Sequence, residues 1–442
     1  MINAKFKDSP LGPIPQDWEV KRLGEVCEKI GSGATPAGGA TNYCKTGIAL
    51  IRSQNVLDGR FAFGGLAYIN EIQASELDNV EVQSKDVLLN ITGDSVARAC
   101  IVSDLALPAR VNQHVCIIRV VSKLCNPLYL SGSLVAEKKR LLAAAFGGGT
   151  RNALTKADVE AFQIAIPPLS EQRRIAEALG EMDRLIELLD AQIVKKRRIA
   201  QGLAHDLLGT GNGEQGTGNG ECGMRNEPIR RLPGFKGEWV KRRLGEATKI
   251  NRGGSPRPIE SWLTTSVNGI NWIKIGDVAV GAKYIWTTAE RIVPEAVQFS
   301  KIVKPGDFLL SNSMSFGRPY ILKISGCIHD GWLTIQDYKD TFDSEYLYYI
   351  LGSEAVLQQY IALADGSSVK NLNKDKVEKV RVSCPPLPEQ RAIAEVLAAV
   401  DDEIAALETK RDKYMRIKEG MMRNLLSGRV RVNAECGMGN EE

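Results

Sequence analysis

The residue types that most often carry chemistry are sparse in this chain and do not form a catalytic or metal-binding set. Its 442 residues include three histidines, His114, His205 and His329, whose spacing is not that of metal ligands. The nine cysteines include no C-x-x-C pair, which argues against a zinc site and a disulfide framework and favours reduced thiols in a cytosol. Walker A and G-x-S-x-G motifs are also missing. This composition predicts a chain that binds and organises rather than catalyses.

Two short patterns resemble cofactor sites but lack the necessary spacing. The segment "FGGGT" (146–150) follows an alanine-rich, helix-like run instead of a strand, and it lacks the G-x-G-x-x-G spacing of a nucleotide loop. The Pro-Pro segments read "IPPL" and "CPPL", which is not the Asn/Asp-Pro-Pro-aromatic motif of amino-methyltransferases. We therefore expect no catalytic residue, bound cofactor or metal in this chain.

Charge and hydropathy limit the kinds of partner. The net charge of +4 permits an acidic partner such as nucleic acid without requiring one. The longest apolar runs fall far short of the roughly 20 residues that a membrane span needs, and the N-terminus lacks the apolar core of a signal peptide. We expect a cytoplasmic protein with no membrane partner.

An internal repeat organises the whole chain. The segment "PPLSEQRRIAEAL" (167–179) recurs as "PPLPEQRAIAEVL" (385–397), with 10 of 13 positions identical. Upstream, "WEVKRLGE" recurs as "WVKRRLGE", "KIGSGATP" (29–36) as "KINRGGSP" (249–256), and "DVLLN" as "DFLLS". Between these segments the two halves diverge, so the chain reads as two copies of one module with a shared frame and different filling.

Each copy combines short β-like runs with one long helix. Apolar residues after each Pro-Pro pair keep a 3.5-residue period over five heptads, which is typical of a coiled-coil seam. The prolines favour a helix start, and Gly209 and Gly428 favour its end, so each helix should span about 38 residues, or roughly 57 Å. Two separate amphipathic helices, each packed on its own domain, are the alternative.

The predicted fold class is α+β: two β-rich mixed domains separated by a long antiparallel two-helix coiled coil, in a pseudo-two-fold internal repeat. The predicted boundaries are 1–166 for the first β-rich domain, 167–208 for the first long helix, 209–226 for a flexible Gly-rich linker, 227–384 for the second β-rich domain, 385–427 for the second long helix, and 428–442 for a disordered tail.

The motif order, written twice, resembles the specificity subunit of type I restriction–modification systems. The motifs that carry the resemblance are "GPIPQDW" and "PGFKGEW", each followed by "RLGE", then "LIRSQNV" and "WIKIGDV", and finally the two Pro-Pro segments. The resemblance implies target-recognition domains that bind double-stranded DNA, two docked methyltransferase subunits, and motor–endonuclease subunits that join for restriction. S-adenosylmethionine, ATP and Mg would then belong to the partner subunits. Ser170 in place of Pro388 and the glycine heptapeptide linker are departures.

The two modules share their motifs but differ in the sequence between them. This predicts an asymmetric, bipartite DNA target with an unread gap. A helix pair of roughly 57 Å corresponds to about 17 base pairs, which exceeds the one-turn spacing of about 34 Å between half-sites. The alternative is a non-catalytic coiled-coil scaffold that positions two partner proteins without reading DNA. A self-sufficient methyltransferase is disfavoured by the missing motifs.

Base reading requires polar side chains on loops that strands hold firmly. Each candidate below has an alternative interpretation as an ordinary turn or surface residue. The candidates are Arg52, Gln54, Asn55, Thr92, Asp94, Ser95, Arg98, Asn112, Gln113 and His114 in the first copy, and Lys274, Asp277, Ser311, Asn312, Ser313, Ser315, Arg318, His329 and Trp332 in the second. Glycine-rich loops suited to phosphate contact carry Thr150, Arg151, Asn152, Ser367, Ser368 and Lys370.

The repeated Glu-Gln-Arg at the helix starts needs its own explanation, because a helix start alone would require only the glutamate. We predict a partner-docking role for these residues, with bracing of the recognition domain on the helix or a solvated helix face as alternatives. They are Glu171, Gln172, Arg173, Glu389, Gln390 and Arg391.

Overall fold

The computed structural model describes residues 5–36, 39–146, 152–209, 228–279, 281–312, 317–364 and 372–432. The chain divides into two compact units. The first unit comprises residues 1–190 with 409–442, and the second comprises residues 191–408. Among the described residues, no helix is both long and apolar enough to cross a membrane.

The helices include two of 39 residues each, one in each repeat. In chain order the helices are α1 (Leu23–Val26), α2 (Glu71–Ser75), α3 (Pro127–Ala136), α4 (Lys138–Phe146), α5 (Lys156–Ala161), α6 (Leu169–Leu207), α7 (Leu244–Ala247), α8 (Ser344–Leu351), α9 (Glu354–Ala364), α10 (Lys374–Glu378) and α11 (Leu387–Leu425).

The first unit contains two four-stranded sheets, with strand orders β11-β10-β13-β4 and β8-β5-β12-β9. The strands are β1 (Phe6–Lys7), β2 (Ile14–Pro15), β3 (Glu19–Arg22), β4 (Cys27–Ser32), β5 (Ile48–Ile51), β6 (Val56–Leu57), β7 (Arg60–Phe61), β8 (Ala67–Ile69), β9 (Glu81–Val82), β10 (Val87–Asn90), β11 (Ala99–Ile101), β12 (Ala109–Val111), β13 (Val115–Val120) and β14 (Gln163–Ile166). The first sheet is antiparallel, whereas β5 and β12 run parallel in the second.

The second unit contains two five-stranded sheets, with orders β16-β25-β22-β23-β19 and β17-β20-β18-β24-β21. The strands are β15 (Val240–Arg243), β16 (Lys249–Arg252), β17 (Leu263–Thr264), β18 (Ile270–Ile273), β19 (Tyr284–Ile285), β20 (Glu290–Ile292), β21 (Lys301–Val303), β22 (Phe308–Ser311), β23 (Pro319–Leu322), β24 (Gly326–Ile328), β25 (Trp332–Gln336) and β26 (Arg381–Cys384). Apart from the edge strands β17 and β19, the described strands repeat the order of the first unit.

The central strands of each unit are apolar at successive positions because both of their faces are covered. Val87 and Leu89 of β10 belong to a core shared with α3 and α6, while Leu88 points into the core between the two sheets. In β22, Phe308 and Leu309 divide between the two cores in the same way. The continuous run "VLLN" therefore indicates a strand buried on both faces.

The long helices begin directly after the Pro-Pro pairs and end shortly before Gly209 and Gly428. The N–H groups of Glu171 and Gln172 donate to the carbonyl of Pro168, at 2.9 and 3.0 Å, and so start α6. Gly209 and Gly428 follow the helix ends with φ of +65° and +68°, the left-handed conformation that glycine adopts most readily.

Within each unit the two long helices run antiparallel. In the first unit, Asp183 pairs with Lys418, and Asp190 pairs with Arg411 at 3.5 Å. From the first pair to the second, the residue number increases along α6 and decreases along α11, so the two helices are antiparallel. In the second unit, Lys196 pairs with Glu403. The cationic side chains of Lys196, Arg411 and Lys418 therefore have carboxylate partners on the other long helix. The predicted α+β fold with paired helices is confirmed.

The segment that follows α11 is ordered at its beginning. Residues 428–432 belong to the predicted disordered tail, yet Arg431 forms ion pairs with Asp17 and Glu171. Positions 433–442, and positions 210–226 of the predicted linker, lie outside the described residues. The predicted domain boundaries remain a prediction.

Candidate nucleic-acid interface

Three strands of the first unit end in polar loops that lie side by side. The loops are Arg52–Asn55 after β5, Thr92–Arg98 after β10, and Asn112–His114 after β12. Because β5 and β12 are parallel, their carboxyl ends share one edge, where the Asn112 N–H donates to the Ile51 carbonyl at 3.1 Å. The predicted candidates from separate parts of the chain therefore converge.

Side-chain contacts fix the conformation of the loop after β12. The Asn112 Oδ1 accepts the N–H of His114 at 3.1 Å, and the His114 Nδ1 lies 2.5 Å from the Thr92 hydroxyl. The Thr35 hydroxyl donates to the Gln113 side chain. Gly33 allows this approach, since a Cβ there would lie 1.7 Å from the Val111 carbonyl oxygen.

The loop after β5 is held by its own asparagine. Asn55 is fully buried, where its side chain accepts the Arg52 N–H at 3.0 Å and donates to the Ala62 carbonyl at 2.9 Å. Arg52 stacks on the ring of Tyr43 at 5.3 Å, and exposed Gln54 donates to the Gly65 carbonyl at 2.9 Å. This places a guanidinium and an amide on the surface of a rigid loop.

The second unit brings together the corresponding loops after β18, β22 and β24. The His329 N–H donates to the Ile273 carbonyl, and the Asn312 N–H donates to the Gly331 carbonyl, each at 3.1 Å. The His329 Nδ1 accepts the Gly331 N–H at 2.9 Å, as Asn112 does for His114 in the first unit. The same turn is therefore built from a different side chain.

The strand-end loops of each unit, with the side chains that contact them, form a strand-end cluster. Asp330 lies at the centre of the polar contacts in the cluster of the second unit. Its carboxylate accepts from the Ser255 hydroxyl at 3.1 Å and from Arg257 at 3.2 Å, and it lies 3.0 Å from the His329 Nε2. Partial burial raises the pKa of Asp330, but His329, Ser255 and Arg257 outweigh this and hold its pKa below the ordinary value. The carboxylate is therefore ionised at neutral pH.

An open crevice of about 490 Å³ adjoins this cluster. Its lining includes Trp272, Lys274 and Glu290 besides Arg257 and His329. Lys274 pairs with Glu290 at 2.6 Å. The crevice thus offers hydrogen-bond donors and acceptors, which are the groups that read base edges.

Sequence reasoning missed Thr35, Ser255, Arg257 and Asp330. The repeated "GATP" and "GGSP" held the signal, since Thr35 and Ser255 occupy the same place in the two copies and both donate to the loop opposite. Gly253 also matches Gly33, because a Cβ at Gly253 would lie 2.2 Å from the His329 carbonyl oxygen.

The structure divides the predicted DNA-contact residues by exposure. Five are buried and have no surface to offer DNA, so their contacts hold the loops instead: Asn55, Asn112, Ser311, Asn312 and Trp332. The exposed or half-buried candidates are Arg52, Gln54, Thr92, Asp94, Ser95, Arg98, Gln113, His114, Asn152, Lys274, Asp277, Arg318 and His329. Thr150, Arg151, Ser313, Ser315, Ser367, Ser368 and Lys370 lie outside the described residues.

The glutamines of the repeated Glu-Gln-Arg are buried braces. The Gln172 side chain accepts the Asn126 N–H at 2.8 Å and donates to the carbonyls of Leu124 and Pro167, at 3.1 and 2.9 Å. Gln390 accepts the Asp343 N–H at 2.8 Å and donates to the Thr341 carbonyl at 2.9 Å. Each glutamine thus ties a long helix to the N-terminus of a recognition-domain helix, α3 or α8.

The other members of this motif divide by burial. Glu171 and Glu389 are buried, as are the two glutamines, so these four have no surface for a partner. Arg173 and Arg391 are exposed. The docking prediction therefore applies only to the two arginines.

A family model described as the type I restriction modification DNA specificity domain matches residues 15–196 and again 236–414. The two matches contain both clusters and most of both long helices. This chain belongs to that family. Type I specificity domains are the non-catalytic part of a restriction–modification complex and work with DNA and the other subunits.

The chain is similar to curated type I specificity subunits over nearly its whole length. It is 25% identical to the putative type I restriction enzyme MjaX specificity subunit of Methanocaldococcus jannaschii, over 97% of each chain. It is 24% identical to the MjaVIII specificity subunit of the same organism, over 97% of this chain and 96% of the relative. The fold is similar to that of a chain in a solved structure described as the structural basis of complex assembly and conformational transition of the type I R-M system. The TM-score is 0.58, with 19% sequence identity, and the match covers 94% of this chain and 99% of the other.

Proposed function

We propose that this chain reads an asymmetric, bipartite DNA target, with one half-site for each recognition domain, in a type I restriction–modification complex. Adenine in the target is then methylated, or unmodified DNA is restricted, by the partner subunits. The observation that carries the proposal is the pair of strand-end clusters, which share a backbone frame but present different side chains.

The two clusters differ where a base edge would be read. Gln113, a neutral amide, and Asp330, a carboxylate, occupy the same loop position and accept from the matched hydroxyls of Thr35 and Ser255. A carboxylate accepts from the cytosine amino group, whereas an amide suits the paired donor and acceptor of adenine. Two loops with the same backbone arrangement but different acceptor side chains suit two different half-sites.

The family also works with other subunits, and we assign their places as follows. Two methyltransferase subunits dock on the long helices, where Arg173 and Arg391 are exposed, and motor–endonuclease subunits join for restriction. S-adenosylmethionine, ATP and Mg bind to those partners, and the complex acts in the cytoplasm.

The test uses one matched residue in each unit. Arg98 and Arg318 occupy the same place, since their carbonyls accept the N–H of Asn90 and Ser311 at 2.8 and 3.1 Å. Arg98→Ala or Arg318→Ala should weaken DNA binding by the assembled methyltransferase by about 1–3 kcal/mol. Lys379→Ala is the control, because exposed Lys379 follows α10, which packs against β16 and against α7, the helix that precedes β16. Unchanged affinity and target choice for both arginine variants would remove this assignment.

The second candidate is a scaffold that holds two partner proteins without reading DNA. The paired long helices are compatible with it, but the two polar clusters would then have no role. Binding of duplex DNA that weakens steeply with salt favours the recognition subunit, because phosphate contacts release counterions. Assembly with the partner proteins, without any salt-dependent or sequence-dependent binding of duplex DNA, favours the scaffold.

A further inference from the structure

The first turn of α6 contains a buried carboxylate held by an arginine from a distant part of the chain. Glu171 accepts from the Arg431 Nε at 2.5 Å and from its Nη2 at 2.7 Å. The same guanidinium donates to both oxygens of Asp17, at 2.9 and 2.7 Å. The Trp18 indole N–H donates to Glu171 at 3.1 Å. One arginine thus joins the opening of the recognition domain to the start of its helix.

The second unit repeats this clamp around α11. Glu389 accepts from the Arg231 Nε at 2.8 Å and from its Nη2 at 2.7 Å. Arg231 also donates to the Gly237 carbonyl at 2.6 Å, two residues before buried Trp239. Both carboxylates are almost fully inaccessible to solvent.

Each clamp arginine follows the end of the other long helix. Arg431 follows α11 and clamps the start of α6, whereas Arg231 follows α6 and clamps the start of α11. The antiparallel pairing within each unit explains this exchange, because the end of one helix lies beside the start of the other. In the first unit Leu425 of α11 packs in the same core as Ile175 of α6.

A buried ion pair is a poor means of adding stability, since apolar side chains of similar volume often serve as well. Its distinctive property is direction, because a bidentate guanidinium fixes the orientation of the carboxylate that it holds. Among the described residues, the hydrogen bonds of the Arg431 clamp reach the segment with Asp17 and Trp18, which leads into the recognition domain, and none of them reaches a strand-end loop. Its geometry is suited to orienting a whole domain rather than to touching DNA.

We propose that Arg431 and Arg231 are positioning residues, each of which sets the orientation of one recognition domain on its long helix and thereby the presentation of one half-site to the methyltransferase. The inference rests on the proposed DNA-recognition function. It adds that the two half-sites can be misaligned independently, through residues remote from the DNA-facing loops.

The test measures the two half-sites separately in the reconstituted methyltransferase. Duplexes that already carry the methyl group on one strand report methylation of the other strand alone, and exchange of residues 1–166 assigns each half-site to a domain. Arg431→Gln should lower kcat/KM for the half-site of the first domain by about tenfold or more. The other half-site should change by less than about twofold, because distant sites act independently. Arg231→Gln should give the reverse pattern.

Two further variants complete the experiment. Arg431→Lys keeps the charge but not the bidentate geometry, so it should recover part of the loss, and it replaces Arg431→Gln if that variant fails to assemble. Arg429→Gln, at an exposed arginine of the same segment, should leave both half-sites unchanged. A parallel fall at both half-sites, or no fall in either clamp variant, overturns the inference. A wild-type complex that methylates no specific site overturns the proposed function itself.

Discussion

The Ser255 hydroxyl donates to the Asp330 carboxylate at 3.1 Å, and the Thr35 hydroxyl donates to Gln113 at the matching place in the first unit. A hydroxyl of the shared frame thus holds a different acceptor in each copy. The frame fixes where the acceptor lies, and the acceptor's chemistry is free to differ. This separates the folding of the loop from the base that it reads.

Replacement of the acceptor should therefore change base preference while the fold is kept. Asp330→Asn keeps the side-chain shape but adds a donor, so it should alter preference in the second half-site by about 1–3 kcal/mol at the affected base pair. The measurement is sequencing of methylated products from a library of randomised targets. Gln113→Glu is the reciprocal variant and should act only on the first half-site. An unchanged preference in both variants contradicts the assignment.

Close packing at Gly33 gives a prediction about the frame itself. Gly33→Ala would place its Cβ 1.7 Å from the Val111 carbonyl oxygen, a backbone atom that cannot move aside freely. We expect a destabilisation of about 1–3 kcal/mol or more, with loss of discrimination in the first half-site. Gly31→Ala is the matched control, because its Cβ would meet nothing within 4 Å. Chemical denaturation checks both variants, and equal stabilities would contradict the close approach.

Local signals explain what the sequence predicts well. The Pro-Pro pairs directly precede the long helices 169–207 and 387–425, and Gly209 and Gly428 closely follow them. The buried central strand of each unit likewise follows from an apolar run, such as "VLLN" in the first. These features depend on neighbouring residues, whose effect on backbone conformation is direct.

Long-range contacts explain what the sequence does not reveal. The parallel pairing of β5 with β12 and the Glu171–Arg431 contact, 260 residues apart, leave no local pattern. Burial is also hard to predict from sequence. Asn55 and Asn312 have the residue type and position of base-reading residues, but they are buried and their side-chain amides donate to backbone carbonyls of the loops. The repeat is the one long-range signal in a single sequence, and it would have found Ser255 through Thr35.

The Arg431 clamp predicts a stability change in acid. Hydrogen bonds from Arg431 hold the pKa of Asp17 below its ordinary value of 3.8. A lowered pKa in the folded state means that this stabilisation is complete above the unfolded value and is lost as the pH falls through the folded value. We therefore expect the loss below about pH 4.

Urea unfolding at several pH values between about 2 and 6 measures this effect. Asp17→Asn should reduce the dependence of the midpoint on pH in the acid range. In an Arg431→Gln background the same substitution should have little further effect, because the charge that lowers the pKa is gone. An acid response that Asp17→Asn alters equally in both backgrounds would contradict the coupling.

The final prediction concerns the modularity of the two repeats. Exchange of residues 1–166 for the corresponding part of another specificity subunit should change one half-site of the methylated target and leave the other intact. The physical reason is that hydrogen bonds within this stretch join the ends of β5 and β10 to the loop after β12, from the Asn112 N–H to the Ile51 carbonyl and from the Ile91 N–H to the His114 carbonyl. Sequencing of methylated adenines in cells with each chain gives both half-sites and the gap in one measurement. Exchange of residues 227–384 is the matched control and should change the other half-site. An exchange that altered both half-sites would show that the two repeats read DNA jointly.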